Sequence, residues 1–316
     1  MGYTLCVLGC GTMGVAITSG VLASLESQSP LHGLSSGLPK WESHTPGTST
    51  PINVADDDPS LPSRFVACVK REESARLLRE KFRTILGGDA IQVLVGQNVS
   101  AVQRSDVVLL CCKPQVTHPI LSEDGIKEAL AGKLLISIVT GVTIAQLSSW
   151  VLPSTTVVRA MPNVACRIRE GMTVVSTLSP SNAEGLHKLI LLQLFSSIGR
   201  CRFLDERQFD ASTALSGCGP AFACIFLEAM ADGGVMMGLP RAEALELAAQ
   251  SLQGAARMAL QPGSHPAQIK DSVATPGGCT IAGLLALEDG RVRSTIARAI
   301  QVATERAGEL GQSAPK

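Results

Sequence analysis

The chain has 316 residues, of which 45% are apolar and 17% are charged, so it can bury the cores of two folded domains. Lysine plus arginine and aspartate plus glutamate number 27 each, which gives zero net charge. This balance argues against nucleic acid or an acidic membrane surface as a partner, because both are bound through strongly basic surfaces.

The first predicted element is a short β-like run, "YTLCVLG", close to the start of the chain. No basic segment and no long apolar segment precedes it, so the sequence predicts a cytoplasmic protein rather than a secreted one. A helix is expected next, from about Thr12 to Leu25. Residues 27–63 then hold six prolines and eight serines, which predicts a surface insertion with no core of its own.

Apolar β-branched runs alternate with helical stretches in the rest of the first half. A helix is predicted over "EESARLLREKF", and the predicted strands are "RFVACV", "AIQVLV", "DVVLLCC", "KLLISIV", "TVVRAMPN" and "GMTVVSTL". This alternation predicts a mostly parallel sheet with helices on both faces.

Helical patterns replace the strands after "CRFLDE", at 206–237, 240–260, 280–288 and 291–310. The change of pattern predicts an α/β domain over residues 1–205 and an all-helical domain over residues 206–316.

The first of these helical patterns is unusually apolar, because only Glu228 and Asp232 are charged between Ala211 and Pro240. Such a helix is expected to be buried on all sides, and a small helical domain can hardly bury it alone. We therefore predict a homodimer, or an assembly of dimers, built on this helix; burial within one subunit is the alternative. A membrane span is not predicted, since the uncharged run "ASTALSGCGPAFACIFL" is short and carries serines, glycines and a proline.

The turn after the first strand has the pattern of a dinucleotide-binding loop. "VLGCGTMG" supplies G-x-G-x-x-G between a predicted strand and a predicted helix, the setting in which glycines allow a tight turn and close approach of a pyrophosphate to free N–H groups. A turn that needs glycine for geometry alone is the alternative. The candidate cofactor residues of this turn are Gly9, Cys10, Gly11, Thr12, Met13 and Gly14.

The second predicted strand is followed by Lys70 and Arg71, where folds that bind NAD usually carry an acidic residue for the ribose 2′-hydroxyl. Two cations suit a 2′-phosphate, so NADPH is the predicted cofactor, with NADH possible. The alternative is that "KREES" is simply a solvated start of a helix.

The ten cysteines and five histidines do not predict a metal site. There is no C-x-x-C pair, and the histidines lack ligand spacing. The cysteines lie mostly in apolar runs and are interpreted as small core residues in a reducing compartment.

"TPGGCTIAGLLALE" places glycines directly before a predicted helix whose first positions are Cys279 and Thr280. Unpaired N–H groups at such a terminus attract an anion, but an ordinary N-cap by Thr275 or Thr280 explains the pattern equally well.

Several longer motifs resemble the pyrroline-5-carboxylate reductases over nearly the whole chain, with the 27–63 insertion outside the match. They are "CCKPQ", "RAMPN", "LSGCGPAF", "EAMADGGVMMGLPR" and "KDSVATPGGCTIAGL". The resemblance implies a Rossmann-like dinucleotide-binding domain, a C-terminal all-α dimerisation domain, and reduction of Δ1-pyrroline-5-carboxylate to L-proline. Two departures are Cys111-Cys112 and Cys279, where the family commonly has Ala-Val and Ala.

The same resemblance implies site residues. The additional cofactor contacts are Asn98, Cys111, Cys112, Lys113 and Pro114, and the substrate loop comprises Val273, Ala274, Thr275, Gly278, Cys279 and Thr280. The N–H groups of Gly278, Cys279 and Thr280 are expected to hold the substrate carboxylate, while the Thr280 hydroxyl bonds the ring nitrogen as the catalytic residue. A reductase of a six-membered cyclic imine and a non-catalytic NADP-binding redox sensor are the alternatives.

Overall fold

The computed structural model describes residues 2–27, 58–85, 90–178 and 185–312, so most of the predicted 27–63 insertion lies outside the described residues. By internal contacts the chain forms two compact units, one of residues 1–217 with 304–316 and the other of residues 218–303. The predicted boundary was at residue 205.

The first unit is built on one eight-stranded sheet with the order β3-β2-β1-β4-β5-β6-β7-β8. All neighbouring strands are parallel except β6 and β7. The strands are β1 (Tyr3–Leu8), β2 (Pro62–Val69), β3 (Ile91–Val95), β4 (Val107–Leu110), β5 (Leu134–Ser137), β6 (Thr156–Met161), β7 (Gly171–Ser176) and β8 (Gly199–Leu204). The predicted, mostly parallel sheet is confirmed.

Helices cover both faces of this sheet, as the alternating pattern predicted. The helices of the first unit before residue 205 are α1 (Thr12–Ser27), α2 (Glu72–Arg83), α3 (Asn98–Gln103), α4 (Pro114–Leu121), α5 (Ile126–Leu130), α6 (Ile144–Trp150) and α7 (Leu186–Ser196). Because side chains alternate along a strand, Leu5 and Val7 of β1 join one buried cluster with α1, α2 and α7. Cys6 and Leu8 join the other, with α3 to α6.

After β8 the first unit continues into an irregular helical segment, Glu206–Gly217, where a continuous helix was predicted. It consists of a 3-10 turn at Glu206–Gln208, α8 (Phe209–Ser212) and a π-helical turn at Thr213–Gly217. The α-helical ladder resumes only after Cys218, because the glycines around it favour the helix poorly and Pro220 has no N–H to donate.

The second unit is entirely helical within its described residues. Its helices are α9 (Gly219–Met236), α10 (Arg241–Ala259), α11 (Pro266–Val273), α12 (Cys279–Asp289) and α13 (Val292–Gln312), the last of which continues into the first unit. The apolar α9 buries only Ala231 in the single chain, and Ile225 is 66% exposed. By length and composition alone, residues Glu206–Met236 are long and apolar enough to span a membrane. In the single chain, 11% of the most apolar window of this segment is buried.

All ten cysteines are free thiols. Those at positions 6, 10, 68 and 166 are buried, as the interpretation of small core residues required, whereas Cys224 and Cys279 are exposed.

Candidate active site

The predicted cofactor turn joins β1 to α1 with the geometry that the glycine motif requires. Gly9 and Cys10 donate their N–H groups to the Cys68 carbonyl at 3.0 and 3.3 Å, which ties the turn to β2. Gly11 donates to the Gly9 carbonyl, and α1 starts at Thr12. The first N–H groups of a helix have no partner within it, so this end of α1 is suited to a pyrophosphate.

Two glycines of this turn are needed for different physical reasons. Gly9 has a φ of 73°, and a Cβ there would lie 2.9 Å from the Cα of Cys112. A Cβ on Gly14 would lie 2.9 Å from Val7 Cγ1, so this glycine lets α1 pack directly on β1. A Cβ on Gly11 would meet only the Gly9 carbonyl oxygen, at 3.8 Å, and the exposed backbone of Gly11 is accessible to a ligand.

The Cys111–Pro114 turn lies next to the glycine turn. The Cys111 N–H donates to the Leu8 carbonyl at 2.8 Å, so the ends of β4 and β1 stay together. Lys113 is the N-cap residue of α4 and Pro114 its first residue, the position where a missing N–H costs nothing. The exposed Lys113 side chain gives this edge of the sheet a positive charge.

Lys70 and Arg71 follow β2 on the same edge, because the carboxyl ends of parallel strands meet there. Both side chains are exposed, and neither forms an ion pair with another described residue. Arg71 is also the N-cap residue of α2, without a side-chain cap bond. A helix does start directly after Lys70 and Arg71, and both cations are exposed, so their role in binding a phosphate stays a prediction.

Asn98 is the first residue of α3, directly after β3. Its Nδ2 donates to Glu123 Oε2 at 2.8 Å, and its Oδ1 accepts from the Cys68 thiol at 3.2 Å. Gly96, two residues earlier, donates to the Val69 carbonyl at 2.9 Å, so Asn98 is anchored beside the turn that carries Lys70. Glu123 was not predicted, and no sequence pattern marks it.

These turns contain three thiols of low reactivity, those of Cys10, Cys111 and Cys112. Burial raises the pKa of Cys10 to about 12, and burial also raises the pKa of Cys111 and Cys112. They are therefore protonated at neutral pH and act as small apolar groups, which for Cys111 and Cys112 fits their replacement of Ala and Val in the family motif.

The predicted substrate loop lies between α11 and α12 in the second unit. Val273 ends α11, Ala274 is its C-cap, and α12 starts at Cys279 as predicted. Gly277 has a φ of 68°, and the Thr275 hydroxyl occupies the space where a Cβ on Gly278 would lie. The N-cap residue of α12 is Gly278 without any side-chain cap bond, so neither Thr275 nor Thr280 acts as the ordinary N-cap that the sequence left open.

The three N–H groups predicted to bind the anion differ in their contacts with described residues. Gly278 donates its N–H to the Thr275 carbonyl at 3.0 Å, because these two residues close a tight turn, so this group is engaged within the loop. Cys279 and Thr280 have N–H groups without an acceptor among the described residues. Thr280 is half-buried, and its hydroxyl likewise has no described partner. Two N–H groups and one hydroxyl are thus free at the start of α12.

A cavity of about 410 Å³ opens at this helix start within the second unit. Gly277, Gly278 and Ile281 line it, together with Lys270 and Arg293. Its volume lies in the usual range of small-molecule sites, and its lining is mostly apolar with charged side chains at Lys270 and Arg293, whereas Cys279 and Thr280 do not line it.

The "RAMPN" motif has a structural task in the first unit that the sequence did not reveal. Arg159 is 5% exposed and donates to Glu206 Oε1 at 2.8 Å, while its guanidinium lies 4.8 Å from the Phe209 ring centre. Asn163 Nδ2 donates to the Ser216 carbonyl at 3.1 Å. These contacts hold both ends of the irregular segment Glu206–Gly217 against β6 and its continuation.

Comparison with known proteins gives two family matches. Residues 206–310 match the model described as pyrroline-5-carboxylate reductase dimerisation, and residues 53–141 match the model of NADP oxidoreductases, coenzyme F420-dependent.

Curated relatives match over nearly the whole chain. The chain is 45% identical to a pyrroline-5-carboxylate reductase of Lophium arboricola, over 98% of this chain and 93% of the relative. It is 43% identical to the one of Schizosaccharomyces pombe, over 97% and 99%. The crystal structure of pyrroline carboxylate reductase from Plasmodium falciparum with NADP bound has a TM-score of 0.73 at 25% identity and covers 98% of each chain.

Proposed function

Because this chain belongs to the pyrroline-5-carboxylate reductase family, we propose that it reduces L-Δ1-pyrroline-5-carboxylate to L-proline with NADPH as the hydride donor, the final step of proline biosynthesis. The observation that carries the proposal is the start of α12, where the free N–H groups of Cys279 and Thr280 lie with the Thr280 hydroxyl. The neighbouring residues Gly278 and Ile281 line a cavity of small-molecule size. The recognised substrate is a small cyclic imine with a carboxylate.

The dinucleotide is held by residues of the first unit. The N-terminal end of α1 would accept the pyrophosphate, and Gly9 and Gly11 keep side chains out of its way. Asn98, Lys113 and the exposed pair Lys70 and Arg71 supply donors along the same sheet edge. When bound, the reduced nicotinamide supplies a hydride.

The residues of the second unit bind and orient the imine. The N–H groups of Cys279 and Thr280 would hold the carboxylate, an interaction worth about 0.3–1 kcal/mol at an exposed helix start and more when partly buried. The Thr280 hydroxyl would bond the ring nitrogen as it changes from imine to amine. A cyclic imine can be protonated before it binds, so the chain needs no strong side-chain acid at this position.

The exposed α9 supports assembly through the second unit. Large apolar side chains, among them Ile225, Met230 and Met236, are open to solvent in the single chain. Monomeric proteins rarely expose such a surface, so a second copy of the chain is the proposed occupant, and the dimerisation model matches the same residues. In this organisation residues 1–205 bind the dinucleotide, and residues 206–316 bind the substrate and form the dimer.

A cytoplasmic enzyme is consistent with the free thiols, because ten unpaired cysteines persist in a reducing compartment.

Activity is tested by mixing the purified full chain with NADPH and pyrroline-5-carboxylate. We expect loss of the absorbance of reduced nicotinamide and formation of proline in equal amounts. Faster reduction of a six-membered imine carboxylate would favour the piperideine alternative, because the α12 start recognises the carboxylate rather than the ring size. Binding of NADPH without turnover of any cyclic imine would favour the redox-sensor alternative.

Preference for NADPH over NADH is predicted to depend on Lys70 and Arg71. Replacing both with Ala should raise the KM for NADPH roughly five- to twentyfold and change the KM for NADH less than about twofold, because only NADPH carries the 2′-phosphate. The double variant Arg76→Ala/Arg83→Ala removes the same charge from exposed positions of α2 and serves as the control. Equal losses for the two cofactors would leave Lys70 and Arg71 as a solvated helix start only.

A further inference from the structure

Glu123 lies in the loop between α4 and α5 and belongs to none of the family motifs. Its side chain contacts Asn98, which is a predicted cofactor contact. Its carboxylate accepts from Asn98 Nδ2 at 2.8 Å. The loop is fixed locally, since Glu123 donates its N–H to the Ile120 carbonyl and accepts from the N–H of Ile126. The backbone of Glu123 is therefore fixed in this loop, and its exposed carboxylate bonds Asn98 from there.

The two partners of Asn98 leave only one orientation for its amide. A carboxylate can only accept a hydrogen bond, so the amide nitrogen must face Glu123. The Cys68 thiol is buried, and burial raises its pKa, so it stays protonated and donates to the amide oxygen at 3.2 Å. A flipped amide would turn its oxygen toward the carboxylate and lose both bonds.

This orientation matters because Asn98 is a predicted contact of the dinucleotide, whose phosphate and ribose oxygens accept hydrogen bonds. Its nitrogen carries two hydrogens, and Glu123 takes one of them; the other has no acceptor among the described residues. Asn98 also follows β3 directly beside the β2 turn that carries Lys70 and Arg71, through the bond of Gly96 to Val69. A fixed N–H donor at this point suits a phosphate or a ribose oxygen.

We propose that Glu123 is a positioning residue for NADPH binding, which holds the Asn98 amide with its free N–H ready for the cofactor. The inference rests on the proposed function, because it needs NADPH to bind at this sheet edge. Glu123 acts through the orientation of Asn98 and not through its negative charge, and this distinction determines the choice of variants.

The test compares Glu123→Ala with Glu123→Gln in the full chain. Ala removes the acceptor, so we expect the Kd and the KM for NADPH to rise roughly three- to tenfold, with kcat at saturating NADPH and the melting temperature unchanged. Gln keeps an oxygen that accepts the same N–H, and the Cys68 thiol still donates to the Asn98 oxygen and fixes the amide, so this variant should bind NADPH within about twofold of the wild type. Glu128→Ala removes an exposed carboxylate from α5 and is the control.

A double-mutant cycle separates positioning from a general structural effect. In an Asn98→Ala background, Glu123→Ala should have no further effect on the Kd for NADPH, because the amide that it orients is gone. The inference is overturned if Glu123→Gln weakens NADPH as much as Glu123→Ala, if Glu123→Ala binds like the wild type, or if the two losses add. Failure of the wild-type chain to bind NADPH would instead contradict the proposed function.

Discussion

Thr280→Ala is expected to lower kcat for reduction of pyrroline-5-carboxylate roughly tenfold to a hundredfold, with the Kd for NADPH unchanged. The Thr280 hydroxyl is half-buried and has no partner among the described residues, so we expect it to be free for the ring nitrogen. Losing a hydrogen bond whose partner stays buried costs about 1–3 kcal/mol, which corresponds to this range of rates. Single-turnover kinetics with NADPH in excess measure the effect directly.

Thr280→Ser is the matched control, since it keeps the hydroxyl and removes only a methyl group. It should retain most of the wild-type kcat. A normal kcat for Thr280→Ala would remove this residue from the mechanism, whereas equal losses in both variants would assign it a packing role at the start of α12.

The second large effect is expected from Ile225→Glu on the exposed face of α9. In the proposed dimer this side chain is buried against the other copy, and an unpaired carboxylate there costs about 3–5 kcal/mol. The dissociation constant of the dimer should therefore rise roughly a hundredfold or more. Size-exclusion chromatography with light scattering, at several protein concentrations, measures the change.

Leu77→Glu is the control for this substitution, because Leu77 is 57% exposed on α2 in the other unit and undergoes the same chemical change. It should leave the mass of the particle unchanged. A dimer of normal mass for Ile225→Glu would show that α9 does not form the interface.

The sequence predicted the order and position of the main elements well where a local pattern exists. The glycine turn at Gly9–Gly14 and the start of α12 at Cys279 are examples, since backbone geometry there depends on neighbouring residues. β8 was missed because Arg200 and Arg202 alternate with half-buried residues, which weakens the apolar signal of an edge strand. The helices α3 to α6 were also not predicted, because each has at most eight residues, which is too few to show a helical period.

Contacts between residues distant in sequence could not be predicted in the same way. Glu123 bonds Asn98, 25 residues away, and Glu206 bonds Arg159, 47 residues away, and neither acidic residue belongs to a recognisable pattern. The engaged N–H of Gly278 was also missed, because the family motif identifies the loop but not which of its donors are already used.

The buried thiols of the cofactor turns bear on how the protein tolerates oxidants. Burial raises the pKa of Cys10 to about 12, so almost none of this thiol is ionised at pH 7 and peroxides and alkylating reagents have little to attack there. Cys279 is exposed at the start of α12. Cys224 on α9 is exposed as well. Oxidative damage in aerated solution should therefore begin at α9 and at the proposed substrate loop and spare the nucleotide turns, so that an aged preparation loses turnover before it loses binding of NADPH.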